Sequence, residues 1–297
     1  MAAVTTIRPA SVDAGPHTGD DGLFGPDSVT WRAMAHPSTG IGAAAAAMLQ
    51  MLYPPVMYVI DQSSNVRANP DLRAQRTAQY ATTITYGDVA SAEAAGAALR
   101  RVHARCTATH PDSGASLAAD DPELLDWVHH ALTWSLLRTW EVFGADLSDV
   151  DRDAFVAEQR VSARLVGCDP DRVASSVAEL DEAMAAMAPR LALSVPGVWF
   201  REMVTARPTE GDLGTRLTKG LMTRGAIAAM APEHRALYGF TWSRTRERVV
   251  VGLTGAFLAG VEAKLPFDVV LPQLRAMVDE QAFGSRRRVV VPAPDPA

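Results

Sequence analysis

The stretch DPELLDWVHHALTWSLLRTW (residues 121–140) gives the clearest indication of the fold. Asp121 is a preferred helix N-cap residue, and Pro122 takes the first helical position, where its missing N–H costs nothing. Apolar side chains then recur at helical spacing as far as Trp140. The sequence therefore predicts a long helix that begins directly after Asp121.

Similar helix signals recur along the rest of the chain. Ser148 and Ser176 each precede an acidic residue three positions further on and then a helical apolar pattern, as in a capping box. Strand-like alternation is scarce, and the short clusters at residues 248–251 and 289–291 are the only ones interpreted as strand-like. The pattern predicts an all-α protein with one domain of eight to eleven helices over residues 21–284. Residues 1–20 are predicted to be a disordered tail, and residues 285–297 a flexible tail.

Composition limits the class of protein. With 297 residues, of which 48% are hydrophobic, the chain can bury a large core. The net charge is -6 and there are only two lysines, so nucleic acid is not expected as a partner. Cys106 and Cys168 are too few for a disulfide framework and are expected to pack in the core. No basic segment followed by an apolar run marks the N-terminus, so we expect a cytoplasmic protein.

One apolar stretch has the length of a membrane span. Residues 33–60 carry no formal charge, and residues 41–60 alone could cross a bilayer by length. Pro54 and Pro55 interrupt any helix there, and the five alanines at 43–47 contribute little transfer energy. We therefore expect a buried helix over residues 40–53 and no membrane span.

One histidine, His103, is predicted to face the protein interior. On a helix over residues 91–107, at about 100° per residue, it shares a face with small and apolar residues. That face consists of Ala92, Ala95, Gly96, Leu99, Val102 and Cys106. Gly96 would let a flat group approach the backbone, while Arg101 and Arg105 point away. The spacing alone leaves two alternatives, a histidine that is hydrogen-bonded in the core or a metal ligand.

A polar face is predicted on the helix that begins at residue 70. Its members are Arg73, Arg76, Thr77 and Tyr80, at positions i, i+3, i+4 and i+7. The opposite side is also polar, so this helix lacks a broad apolar stripe. The face is either a solvated cationic surface or the lining of a polar pocket.

A second inward histidine is predicted on the helix that follows Asp121. His129 shares a face with Leu125, Leu132 and Leu136, whereas His130 lies about 100° further round. A structural hydrogen bond is the simplest role for either ring. The sequence-local signatures of zinc proteases, P-loops, dinucleotide-binding folds and serine hydrolases do not occur.

With these helices placed, the sequence resembles the family that unites latex-clearing protein, a rubber oxygenase, with the oxygenase MpaB. No motif is specific alone, but their order and spacing over residues 23–243 are. The matching stretches are Leu23-Phe24-Gly25-Pro26-Asp27, Trp31-Arg32, Asn69-Pro70, Arg73-x-x-Arg76-Thr77, Tyr86-Gly87, Arg100-x-x-His103-Ala104, Asp121-Pro122-Glu123-Leu124-Leu125-x-Trp127-Val128-His129 and Leu237-Tyr238-Gly239-Phe240.

The resemblance implies a globin-like helical core that binds haem b. It implies that the histidine of the Arg-x-x-His-Ala motif binds the iron, and that histidine is His103 here. An axial imidazole must leave an apolar helix face toward a hydrophobic plate, which agrees with the predicted orientation of His103. The resemblance also places Arg73, Arg76 and Thr77 on the opposite side of the haem. There they would stabilise charge that develops on oxygen atoms derived from dioxygen.

Three further residues are assigned to the cofactor site. Arg100, about 60° from His103 on the helical wheel, could pair with a haem propionate. His129 would orient a neighbouring group or a propionate, and Tyr80 would line the pocket.

The chain departs from the family pattern at two positions. Arg76 replaces a lysine that can cap the iron, and a guanidinium is a poor ligand because it stays protonated. The sixth iron position is therefore expected to hold water or to be empty. The rubber oxygenase also has an upstream glutamate that is proposed as a base, whereas residues 56–70 here offer only Asp61. Polyisoprene cleavage with that base is accordingly not expected.

The sequence thus predicts a haem-dependent oxygenase that acts on a small or medium apolar molecule with dioxygen. One alternative is a haem-dependent biosynthetic oxidase that catalyses hydroxylation, dehydrogenation or cyclisation. Another is a haem-free helical ligand-binding protein, in which His103 and His129 only satisfy hydrogen bonds. The oligomeric state does not follow from the sequence.

Overall fold

The structure is a computed structural model that describes residues 20–64, 66–144, 147–209 and 211–286. Within these residues there are thirteen α-helices, one 3₁₀ helix and one two-stranded sheet. Helices account for 71% of the structure, so the all-α prediction is confirmed, although the helices outnumber the eight to eleven expected. Of the predicted tails, residues 1–19 and 287–297 lie outside the described residues.

The helices and strands are numbered in the order in which they occur along the chain. They are α1 (Val29–Met34), α2 (Thr39–Met51), α3 (Pro54–Ser63), α4 (Pro70–Tyr86), α5 (Val89–His103), β1 (Thr107–Thr109), β2 (Ser116–Ala118), α6 (Pro122–Phe143), α7 (Asp149–Val166), α8 (Val177–Met187), the 3₁₀ helix (Ala188–Arg190), α9 (Val195–Thr205), α10 (Leu213–Ala229), α11 (Pro232–Leu237), α12 (Arg244–Lys264) and α13 (Phe267–Arg286).

The centre of the fold is the pair of helices α2 and α6. Helix α6 begins as predicted, because the Asp121 carboxylate accepts a hydrogen bond from the Glu123 N–H at 2.9 Å. The two helices approach closely at Gly42, where an added Cβ would lie 3.2 Å from the Cα of Leu136. A glycine is therefore needed for this contact. Helices α3, α7, α8, α10 and α12 pack on this central pair.

The apolar stretch of residues 33–60 folds into two helices and not one. Helix α2 is largely buried, as predicted, and Pro54 starts α3 after a bend of 101°. Among the described residues, no single helix combines the length and apolar character needed to cross a membrane. Three bent helix pairs reach those values together.

The predicted helix over residues 91–107 is wrong at its C-terminal end. Helix α5 ends at His103, and residues 107–109 pair with residues 116–118 in an antiparallel hairpin. Cys106 therefore lies beyond the helix, and Val102 is 55% exposed and not inward. Gly96 does face inward, but helix α7 occupies the space beside it. An added Cβ there would lie 2.9 Å from the Leu165 carbonyl oxygen.

Candidate active site

Helices α4 and α5 form an antiparallel hairpin joined by Gly87 and Asp88. The Asp88 carboxylate caps α5 by accepting a hydrogen bond from the Ser91 N–H at 2.6 Å. Arg73 lies 13 residues before the end of α4, and His103 lies 14 residues after the start of α5. At 1.5 Å per residue, both are about 20 Å from the turn. The hairpin therefore places these two sequence-predicted residues at the same level, at its far end.

Electrostatic effects show that Arg73 and His103 belong to one group of side chains. Burial lowers the pKa of His103, the Asp120 carboxylate raises it, and the Arg73 guanidinium lowers it. The pKa of Arg73 is lowered by burial, with an opposing contribution from Cys106. Arg73, His103, Cys106 and Asp120 are thus close enough at the far end of the hairpin for their charges to interact.

His103 has the properties of a free neutral imidazole. Its side chain is half-buried, and its Nδ1 atom is buried without a hydrogen-bond partner among the described residues. Because its pKa is lowered, the ring is neutral at pH 7 and one nitrogen keeps a lone pair. A buried ring nitrogen without a partner is uncommon and calls for an explanation. A direct bond from this nitrogen to a metal ion is one such explanation.

The far end of the hairpin is open. Helix α4 is exposed over residues 71–78 and becomes buried only at Ile84, Thr85 and Tyr86, next to the turn. Arg73 is exposed to solvent, yet the protein around it lowers the pKa of its guanidinium. Both observations fit a side chain that lines a concave space. Two large apolar side chains beside the pair are also exposed, Leu72 by 44% and Val102 by 55%.

The other two members of the predicted catalytic face extend from the same open end. Arg76 is exposed and has no hydrogen bond or ion pair within the described part of the chain. The Thr77 hydroxyl donates a hydrogen bond to the Arg73 carbonyl at 3.1 Å. The proton of Thr77 is thus used within the helix, and its oxygen remains available to accept a hydrogen bond.

Tyr80 and Arg100 lie nearer the turn, between the hairpin and α7. Tyr80 packs against Ile84, Ala92 and Leu165, and burial raises its pKa to about 12. Its hydroxyl is buried without a partner among the described residues. Arg100 donates a hydrogen bond to the Leu165 carbonyl at 2.5 Å and so stabilises the C-terminus of α7. In this arrangement Arg100 serves α7, and its pairing with a propionate stays a prediction.

His129 lies apart from this group, on α6. It is buried, and burial together with the charge of His130 lowers its pKa to about 3. The ring centres of His129 and His130 are 6.0 Å apart, and His130 accepts a hydrogen bond from the Ala174 N–H at 3.1 Å. Among the described residues, no hydrogen bond or ion pair joins His129 to the α4–α5 hairpin. In this part of the chain, His129 is therefore not linked to His103 by a hydrogen bond or an ion pair.

Comparison with protein-family models gives one match that covers most of the chain. Residues 31–260 match the family described as ER-bound oxygenase mpaB/B'/Rubber oxygenase, catalytic domain. The chain belongs to this family. The family consists of oxygenase catalytic domains, so the chain is assigned as an oxygenase and the predicted resemblance is confirmed. Comparison with curated proteins and with solved structures gives no significant match.

Two residues of this MpaB/rubber oxygenase domain were not predicted as site residues. Asp120 carries no more signal in the sequence than other carboxylates near helix starts, yet its charge acts on His103. Cys106 was expected in the core, and the structure places it close enough to Arg73 for their charges to interact. Both come to the site because the chain leaves α5 through the β1–β2 hairpin, which no sequence pattern indicated.

Asp61, the only carboxylate that replaces the upstream glutamate of the rubber oxygenases, is engaged elsewhere. It accepts a hydrogen bond from the Arg67 Nε atom at 2.6 Å. The Arg67 guanidinium in turn lies 4.5 Å above the Trp199 ring. Asp61 is therefore held in an ion pair that is stacked on α9.

A separate cavity of about 530 Å³ lies on the other side of α4 in this oxygenase domain. Residues of α2, α9 and α10 line it, and Asp71 contributes from α4. Asp71 and Arg73 are two residues apart and hence about 200° apart on the helix. Helix α4 therefore separates this cavity from the His103 group. Metal-binding groups of three or more His, Cys, Asp or Glu do not occur in the described ranges.

Proposed function

We propose that this chain is a haem b-dependent oxygenase in which His103 binds the iron. The observation that carries the proposal is the buried, unpartnered Nδ1 atom of a neutral His103 at the open end of the α4–α5 hairpin. A haem iron takes four ligands from the porphyrin, so one imidazole from the protein suffices. The residues present therefore fit this cofactor.

The shape and polarity of the open end also support haem. Leu72 and Val102 are large apolar side chains that are exposed to water. A flat apolar group that covered them would gain about 25 cal/mol of binding free energy for each Å² of apolar surface removed from water. Helix α4 is exposed along two turns at this end, so its side chains there are available to a bound group.

The proposed roles fall to residues on two helices, α5 and α4. When bound, haem supplies the activation of dioxygen. His103, neutral because of its lowered pKa, donates a lone pair from α5. From α4, the guanidinium groups of Arg73 and Arg76 would offer N–H donors to oxygen atoms on which negative charge develops. Each well-placed donor is worth about 3 kcal/mol. Thr77 can only accept a hydrogen bond there, because its proton is bonded to the Arg73 carbonyl.

The substrate we propose is a small or medium apolar molecule. Its contacts would be the apolar side chains at the open end, while the arginines face the reacting oxygen atoms. No carboxylate base is assigned, because Asp61 is paired with Arg67. Insertion of oxygen and oxidation by hydroxylation, dehydrogenation or cyclisation remain alternatives that share this site.

An absorption spectrum of the protein from a haem-sufficient host tests the proposal. We expect a Soret band that shifts with dithionite and carbon monoxide and that His103→Ala strongly diminishes. His36→Ala is the matched control, because His36 is also partly buried with a pKa lowered by burial. His103→Gly should regain the band when free imidazole is added, which separates ligand loss from misfolding.

Two results would overturn the proposal in different ways. A correctly folded but colourless protein would favour a haem-free ligand-binding domain. A Soret band that survives His103→Ala and disappears in His129→Ala would keep the cofactor and move the iron ligand to α6.

A further inference from the structure

The cavity behind α4 has the size of a small-molecule site. Its volume of about 530 Å³ lies within the range of about 300–1,000 Å³ that is typical of ligand pockets. Helix α4 separates it from His103, and neither His103 nor Arg73 lines it. A ligand of this cavity would therefore be distinct from a group bound at His103.

One part of the cavity wall is apolar and adaptable. Ile41 and Ala226 are fully buried and back this part of the wall. Met203 and Met222 add flexible thioether side chains that can fit chains of different shape. This surface suits an aliphatic body and not a sugar or a nucleotide.

The rim of the same cavity is cationic. Arg207 and Lys219 line it, both are exposed, and neither has a hydrogen bond or an ion pair in the described part of the chain. The hydroxyl groups of Thr218 and Thr223 lie on the same wall of α10. An arginine fork and an ammonium group beside two hydroxyls are well suited to a carboxylate.

Asp71 limits the charge that this rim accepts. It lines the cavity and opposes part of the attraction from Arg207 and Lys219. With two cations and one carboxylate, the described lining has a net charge of +1. A monoanion is neutralised by this arrangement, whereas a dianion such as a phosphate monoester would leave excess negative charge beside Asp71.

We propose that this cavity binds an amphipathic monocarboxylate, such as a medium-chain fatty acid. The carboxylate pairs with Arg207 and Lys219, and the aliphatic chain lies along Ala44, Met203 and Met222. The site does not depend on haem, since His103 is outside it.

Titration of the full chain with decanoate by isothermal calorimetry tests this proposal. We expect saturable binding that weakens at high salt, with 1-decanol at least tenfold weaker because it lacks the charge. Decyl phosphate should also bind more weakly than decanoate. Equal binding of decanoate and 1-decanol, tighter binding of decyl phosphate, or no saturation at millimolar decanoate would each overturn the proposal.

Two pairs of variants locate the site. Arg207→Gln should weaken decanoate binding about tenfold, while Arg224→Gln should not, because Arg224 is bonded only to its own helix and does not line the cavity. Ala44→Trp should fill the cavity and abolish binding. Ala43→Trp is its control, because Ala43 is exposed on the same helix but outside the lining.

Each outcome of these variants bears on the proposal. Unchanged decanoate binding in Arg207→Gln or Ala44→Trp, with the fold verified by circular dichroism, would refute it. His103→Ala should lose the Soret band and retain decanoate binding, so failure of the haem proposal and failure of this one are distinguishable.

Discussion

The free energy of unfolding is expected to fall as the pH drops below about 6.5, and His129 should account for one proton of that dependence. Its pKa is lowered from 6.5 to about 3, chiefly by burial. Below pH 6.5 the unfolded chain binds a proton at this residue and the folded chain does not, so acid favours unfolding. The stabilisation is complete above pH 6.5 and is lost progressively toward pH 3. Between pH 7.5 and 5.0, the loss from this one residue is about 2 kcal/mol.

Urea unfolding of the natural chain and of His129→Leu between pH 7.5 and 5.0 measures this effect. The other histidines with lowered pKa values contribute in both proteins, so the difference in slope reports His129 alone. Hydrogen bonds lower the pKa values of Glu123 and Glu179 from 4.5, so these residues reduce the free energy of unfolding only at pH values below this range. His129→Leu should lose about 2 kcal/mol less than the natural chain. Equal losses in the two proteins would show that His129 takes up its proton in the folded state, and the reasoning from burial would fail.

Three further outcomes are expected. Gly96→Ala should destabilise the protein by about 1–2 kcal/mol in urea unfolding, because the new methyl group meets a backbone oxygen of α7 at 2.9 Å. Gly252→Ala, in open space on α12, should stabilise it by up to about 1 kcal/mol, and equal effects would refute the contact. Tyr238→Phe should cost about 1 kcal/mol, because its hydroxyl donates to the Met48 carbonyl at 2.7 Å in the core; an unchanged urea midpoint would contradict this. Arg73→Gln should leave the Soret band in place and lower kcat about a hundredfold in an oxygen-consumption assay, and unchanged turnover would remove Arg73 from the site.

The helices with strong local signals were predictable from the sequence. Asp121 and Pro122 start α6 as expected, because capping and the proline position act within a few residues. Pro54 likewise divides the long apolar stretch into α2 and α3. The β-branched residues 248–251 are helical within α12, where the Ser243 cap and the length of the helix outweigh a weak strand propensity.

The C-terminal end of α5 was not predictable to the same degree. A helical wheel assumes that the helix continues, and the end at His103 depends on the pairing of residues 107–109 with residues 116–118. Turn geometry at Gly114, with φ of 70°, helps to form that pairing. The inward orientation of His103 and Gly96 was predicted because it depends only on periodicity. Val102 was misplaced because no neighbouring helix covers it.

The candidate site was predicted only in part, because some of its residues come together through tertiary contacts that local patterns do not reveal. The order of motifs pointed to Arg73 and His103 as candidates, and two helices joined by a short turn place them at the same level. Asp120 joins them only through the tertiary path of the β1–β2 hairpin, which no local pattern reveals. The bond from Arg100 to Leu165 is also tertiary, since it depends on where α7 ends.

Gly87 lies at the turn of the α4–α5 hairpin, about 20 Å from Arg73 and His103 at its far end. An added Cβ at Gly87 would lie 2.5 Å from the Thr83 carbonyl oxygen, so the turn does not readily accommodate a side chain at this position. A change of about 5° in the angle between α4 and α5 would move Arg73 relative to His103 by about 2 Å, because both lie about 20 Å from the turn. Substitutions at this remote turn can therefore change the spacing between Arg73 and His103. They would alter the binding of a group between these two residues without contacting it.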